Sequence, residues 1–149
     1  METGVKETED VLEEILGAFD LEEGRADQYS PLTLAFIGDC IYDLVIRTMI
    51  VEKGNAPVNV LHHKAASLVK ASAQTKLYYQ IEPLLTEKEQ AIFRRGRNAK
   101  SYTMAKNASM SDYRTATGVE ALVGYLYLDH QMERVITLIK KGLETNHEK

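Results

Sequence analysis

Apolar residues recur along this chain at intervals of three and four and do not alternate, so the pattern predicts helices throughout. The dominant stretch is Ala35-Phe36-Ile37-Gly38-Asp39-Cys40-Ile41-Tyr42-Asp43-Leu44-Val45-Ile46, nearly unbroken in its apolar character. Ser30 supplies an N-cap and Pro31 is preset for the first helical position. With no Gly or Pro from Cys40 to Lys53, one helix is expected from Pro31 to Glu52. At about 1.5 Å per residue it spans about 30 Å, the width of a small domain. A helix apolar on all sides is expected to be central and buried. Asp39, in its middle, is then largely removed from water, at a cost that a cation or hydrogen bonds must offset.

The remaining segments are shorter. Val11, Leu12, Ile15, Leu16 and Phe19 form a stripe with acids opposite, predicting an amphipathic helix over Glu7 to Phe19, followed by a polar connector from Leu21 to Tyr29. Gly54-Asn55-Ala56-Pro57 stops the central helix. Asn59 is expected to cap a helix to Lys70, and Ser72 another from Ala73 to Ile81. Thr86-Glu87-Lys88-Glu89 fits a capping box and starts a helix to Arg95, broken by Gly96. Gly96 to Met110 reads as a polar, basic loop. Ser111-Asp112 opens a helix through Leu128, and a last helix from Gln131 to Leu143 places Val135, Leu138, Ile139 and Gly142 on one face. The class is all-α.

At 149 residues a single domain is expected: an acidic N-terminal helix and connector (1–29) packed on a domain spanning 30–149. One cysteine, Cys40, excludes an internal disulfide, and there is no Cys/His cluster of zinc spacing. The acidic N-terminus is unlike a signal peptide, and the acids in the longest apolar run argue against a membrane span; the cytoplasm is the expected compartment. The net charge of −4 conceals an asymmetry. Met1 to Asp27 holds ten acids against Lys6 and Arg25, while the remainder carries 12 acids against 16 bases, a net of +4. Phe93 to Ser111 contains Arg94, Arg95, Arg97, Lys100 and Lys106 and no acid, the kind of patch a polyanion feels.

A second acid, Glu120, sits in Gly118-Val119-Glu120-Ala121-Leu122-Val123-Gly124-Tyr125-Leu126-Tyr127-Leu128, again among apolar and small residues. Ala116, Thr117 and Gly124 share its helix face, leaving room for another helix backbone or for a metal and its waters. If the two carboxylates stood about 4 Å apart, they would repel by about 4 kcal/mol at an effective dielectric near 20. One acid must then take a proton, or a divalent cation must lie between them. Hard oxygen ligands favour Mg²⁺ or Mn²⁺ over zinc. From the pattern alone the alternative stays open that each acid caps a helix or pairs with a distant Arg. His62 and His63 read as structural, Cys40 as a small buried thiol, and Tyr42, Tyr113, Tyr125 and Tyr127 as core or interface residues. Met104 and Met110, flanking the basic stretch, read as packing.

Phe36-Ile37-Gly38-Asp39-Cys40-Ile41 resembles the signature of the ribonuclease III family, and Val119 to Asp129 resembles its second acidic motif, in the same order and separation. The likeness covers Ser30 to Leu143. It is nearest to the Mini-ribonuclease III subfamily, which lacks a double-stranded-RNA-binding domain; Arg95-Gly96-Arg97-Asn98-Ala99-Lys100 resembles a hallmark of that subfamily. The resemblance implies a helical endonuclease-domain bundle acting as a homodimer and Mg²⁺-dependent hydrolysis of double-stranded RNA. It also implies maturation of large-subunit (23S) ribosomal RNA precursors. Carried over by position, Asp39 and Glu120 match the catalytic, metal-binding acids. The larger enzymes have Glu where this chain has Ala35 and Asp where it has Thr117; Asp43, one turn beyond Asp39, is a candidate further ligand.

In that setting Arg94, Arg95, Arg97, Lys100 and Lys106 straddle phosphates of A-form RNA, and Asn98 and Lys100 approach the scissile phosphate. A ribosomal protein or the assembling large subunit is the expected helper. The competing expectation is a catalytically silent RNA-binding or ribosome-assembly factor on the same scaffold, for which the residues at Ala35 and Thr117 speak. A helical protein–protein adaptor would leave the basic stretch without purpose.

Overall fold

The predicted cap closes the central helix: the Thr33 amide donates to the Ser30 hydroxyl oxygen at 3.2 Å, with Pro31 in the first turn. The computed structural model describes residues 10–99 and 109–144. Its helices are α1 (Val11–Ala18), α2 (Pro31–Lys53), α3 (Val58–Val69), α4 (Ala71–Ile81), α5 (Glu87–Asn98), α6 (Met110–Leu128) and α7 (Met132–Leu143). Short 3₁₀ turns occupy Ala26–Gln28 and Glu82–Leu84, and no strand occurs among the described residues. The fold is an all-α bundle, the class that the sequence pattern predicts. None of the described helices is long and apolar enough to cross a membrane.

The centre of the bundle is α6, not α2. From Thr115 to Leu126 every residue except Glu120 is buried, and α2, α4 and α5 pack around this helix while α7 lies against α4. α2 buries one side only, through Leu34, Gly38, Ile41, Tyr42, Ile46 and Ile50. Its other side leaves Phe36 81% exposed, along with Leu32, Leu44, Val51 and Cys40. The expectations of a helix buried all round and of a buried Cys40 thiol are therefore corrected: uniform apolarity did not mean enclosure within one chain.

The crossing of α2 and α6 is made by glycine. A Cβ on Gly38 would collide with the Glu120 carbonyl oxygen, and one on Gly124 with the Leu34 carbonyl oxygen, so the two backbones touch. Gly96 does the same for α5. It is a buried helical residue rather than a break, and a Cβ there would lie 2.7 Å from Ala121 Cβ and 3.0 Å from Gly118 Cα. α5 therefore runs on through Arg97 and Asn98, which the sequence pattern assigned to a loop.

Other boundaries move by a few residues. α3 starts after Pro57, with Asn59 inside it; α4 starts at Ala71, with Ser72 inside it; and α6 is capped by Ser109, whose hydroxyl accepts from the Asp112 amide at 3.0 Å. The Thr86–Glu89 capping box forms as predicted. Glu89, only 5% exposed, also takes two hydrogen bonds from Arg134 of α7, at 2.8 and 2.9 Å. Burial opposes that charge, but Arg134 and the Thr86 amide outweigh it and hold the carboxyl below the ordinary range. α7 buries Val135, Leu138, Ile139 and Gly142, the predicted face.

α1, capped by Asp10, buries Leu12. His130, at positive φ just after α6, turns Nδ1 to Asp10 Oδ2 (3.1 Å) and Nε2 to Glu23 Oε2 (2.5 Å). Both partners are carboxylates, and hydrogen bonds to Asp10 and then Glu23 raise the pKa of the ring.

Candidate active site

The backbone contact at Gly38 and Gly124 brings neighbouring Asp39 and the Glu120 turn together. Asp39 is exposed on α2, whereas Glu120 is half-buried on α6. The desolvation cost expected of Asp39 therefore falls on Glu120. Burial pushes the Glu120 carboxyl up to about 7; a hydrogen bond from Gln74 opposes the shift, and the adjacent Asp39 carboxylate adds to it. Two acids thus meet with one of them in a dry setting, where either a proton or a cation must resolve their repulsion.

Two residues complete the surroundings of Glu120: Gln74, which the sequence pattern did not single out, and Tyr42, which it read as core or interface. Gln74 of α4, 2% exposed, donates from Nε2 to Glu120 Oε2 at 3.2 Å and to the Val69 carbonyl at 3.0 Å. Tyr42 of α2 is buried and sends its hydroxyl to the Leu68 carbonyl at 3.4 Å; burial and the charge of Glu120 keep the phenol protonated. Gln74 lies on the α4 face that otherwise buries Leu77, Tyr78 and Ile81.

A cleft of about 340 Å³ opens beside Asp39, lined by Asp43, Arg47, His62, Ala65, Ala66 and Val69. Asp43 is held by Arg47 across one helical turn at 3.1 Å, so its carboxylate already has a cation partner. His62 is exposed at the cleft wall. Ala35 and Thr117 are both buried and add no carboxylate; the Thr117 hydroxyl donates to the Tyr113 carbonyl at 3.0 Å.

Among the described residues, the one trio of His, Cys or acidic side chains whose ligand atoms gather within 4.8 Å is Asp10, Glu13 and His130. It belongs to the α1 attachment, with Asp10 already accepting from the Glu13 amide and from His130.

The basic residues are positioned by the glycine contact of α5. Gly96 rests on α6 at Thr117, Gly118 and Ala121, the turn that carries Glu120. Arg94, Arg95 and Asn98 are exposed around it, and Arg97 is half-buried with its guanidinium 5.8 Å from the Phe93 ring centre. Arg95 also donates to the Tyr29 carbonyl at 3.4 Å. Lys100, Met104 and Lys106 lie outside the described residues.

The sequence profile of the Ribonuclease III domain matches residues 32–131. A Mini-ribonuclease 3 of Clostridium tetani is 49% identical over 114 residues, 76% of each chain. The Mini-ribonuclease 3 of Thermoanaerobacter is 49% identical over 119 residues (80% of this chain, 84% of that one), and that of Enterococcus faecalis 47% over 125 residues (80% and 95%). The X-ray structure of a Fusobacterium nucleatum protein superposes with a TM-score of 0.70 at 31% identity, covering 75% of this chain and 91% of the other.

Proposed function

We infer that this chain, which belongs to the ribonuclease III family and is an endoribonuclease of that type, cuts double-stranded RNA with a divalent cation held by Asp39 and Glu120. The observation that carries this reading is the meeting of the two acids where Gly38 and Gly124 let α2 and α6 touch. A pair of carboxylates, one of them desolvated and both without a Lys or Arg partner among the described residues, fits a hard cation: Mg²⁺, with Mn²⁺ as a substitute. When bound, that ion supplies an acidified water and offsets charge on the phosphate under attack.

The chain's own residues do the rest. Glu120 is held from behind by Gln74 and faces the exposed Asp39, so the pair marks one spot at the protein surface. Arg94, Arg95, Arg97 and Asn98, at the end of α5, bind RNA phosphates, together with Lys100 and Lys106, which follow in the sequence. Hydrolysis in this reading releases the ribose 3′ oxygen and leaves a 5′-phosphate. The apolar outer side of α2, led by Phe36, meets a second copy, giving a homodimer with two such centres. A stem of the large-subunit (23S) ribosomal RNA precursor, in the bacterial cytoplasm, is the natural substrate, presented by a ribosomal protein or the assembling subunit because the basic surface is small.

Ala35 and Thr117 support a second reading, an RNA-binding assembly factor without catalysis, because they leave the centre with fewer acids than the larger enzymes have. One assay separates the two. Purified protein with a precursor stem and Mg²⁺ should cut, chelator should stop it, and Asp39→Asn should abolish cutting while RNA affinity is kept. Binding without cutting in Mg²⁺ would favour the silent factor.

A further inference from the structure

Gln74 is a deeply enclosed polar side chain beside the acid pair, at 2% exposure, and its hydrogen bonding is lopsided. Its Nε2 serves two acceptors, the Val69 carbonyl at the end of α3 and Glu120 Oε2 on α6, while its Oε1 is buried without a partner. Turning the amide over would set an oxygen against the Val69 carbonyl, which can only accept. The main chain thus fixes which end of the amide Glu120 meets, and that end is a donor. An orphaned buried acceptor is costly. It persists here because the alternative orientation breaks two hydrogen bonds at once.

We propose that Gln74 is a positioning residue of the cation centre: its side-chain amide, locked by the Val69 carbonyl, holds the Glu120 carboxylate facing Asp39 as a ligand. This rests on the reading of Asp39 and Glu120 as cation ligands. Where the larger enzymes place further acids, this chain has Ala35 and Thr117, and the Gln74 tether supplies orientation to a ligand set that is short of carboxylates. Outer-shell partners of this kind are worth roughly 10- to 100-fold in metal affinity or activity.

Mn²⁺ binding, followed by electron paramagnetic resonance on the full chain, tests it. Gln74→Met keeps volume and removes the donor. The expected result is a variant with an unchanged circular dichroism spectrum, unchanged duplex-RNA affinity in chelator, Mn²⁺ affinity lowered at least about tenfold, and cleavage that recovers as Mg²⁺ is raised. A folded Gln74→Met with Mn²⁺ affinity within about twofold of the parent overturns the proposal. If that variant fails to fold, the Gln74 side-chain amide signals of the unaltered protein decide by NMR: they should shift on Mg²⁺ titration, and signals that stay put overturn it. Asp39→Asn and Glu120→Gln separate this inference from its premise. If both lose Mn²⁺ while Gln74→Met does not, only the role of Gln74 falls; if neither loses it, the centre itself falls and takes Gln74 with it.

Discussion

At the scale of single residues, the two acids were legible because each is an isolated charge in an apolar helix. Their environments were not. The sequence pattern put the desolvation on Asp39, yet Asp39 is exposed and Glu120 bears it, since which side of α2 gets covered depends on partners far away in the chain. Gln74 escaped notice because one amide in an amphipathic helix carries no signal until its neighbours are known. The raised Glu120 pKa sets a pH dependence. Without a cation, the folded protein holds this proton more tightly than the unfolded chain, whose carboxyl stays near its ordinary value. Stability from this group is therefore full at low pH and is lost as pH rises toward about 7, by up to about 1.4 kcal/mol per pH unit. A cation needs the ionised form. Mg²⁺ should thus raise the melting temperature clearly at pH 8 and hardly at pH 5.5; equal effects in calorimetry at both values would contradict the assignment.

Among the elements, two caps and one stripe were read correctly: Ser30 with Pro31, the Thr86–Glu89 box and the inner face of α7 all stand as predicted, whereas the α1 stripe leaves Val11, Ile15 and Phe19 exposed. Short cap candidates fared worse. Asn59 and Ser72 are ordinary helical residues because Pro57 and Lys70, in extended conformations, already turn the chain. Gly96 is the instructive error. Glycine weakens an isolated helix, which makes it look like a stop, but here its missing side chain lets α5 press on α6. The sign of Gly96→Ala separates the two roles. A glycine that merely weakened the helix would be improved by alanine, by up to about 1 kcal/mol; a contact glycine should instead cost about 1–3 kcal/mol through overpacking. Chemical denaturation of the variant reads that sign directly.

For the whole molecule, the exposed apolar side of α2 and the basic residues each carry a prediction. If the proposed homodimer forms through α2, Phe36→Glu should leave a monomer in sedimentation while each chain keeps its helical content, and a mass unchanged from that of the parent would count against that contact. If Arg94, Arg95, Arg97, Lys100 and Lys106 all engage phosphates, the plot of log affinity against log salt should slope by about −4, and each arginine replaced by glutamine should flatten it by about 1. The sequence displayed this charge strip openly. It did not reveal that the strip's near end is helical and seated beside the Glu120 turn, because that depends on the buried α5–α6 contact. Gly38 and Gly124 carry one more consequence. The spacing of the two helix backbones that carry the acids is set by main chain resting on main chain, with no side chain between them to soften on warming. Heat can part those backbones only by prying the bundle open. Catalytic rate should therefore climb smoothly with temperature and fail only at the melting point, with no earlier plateau.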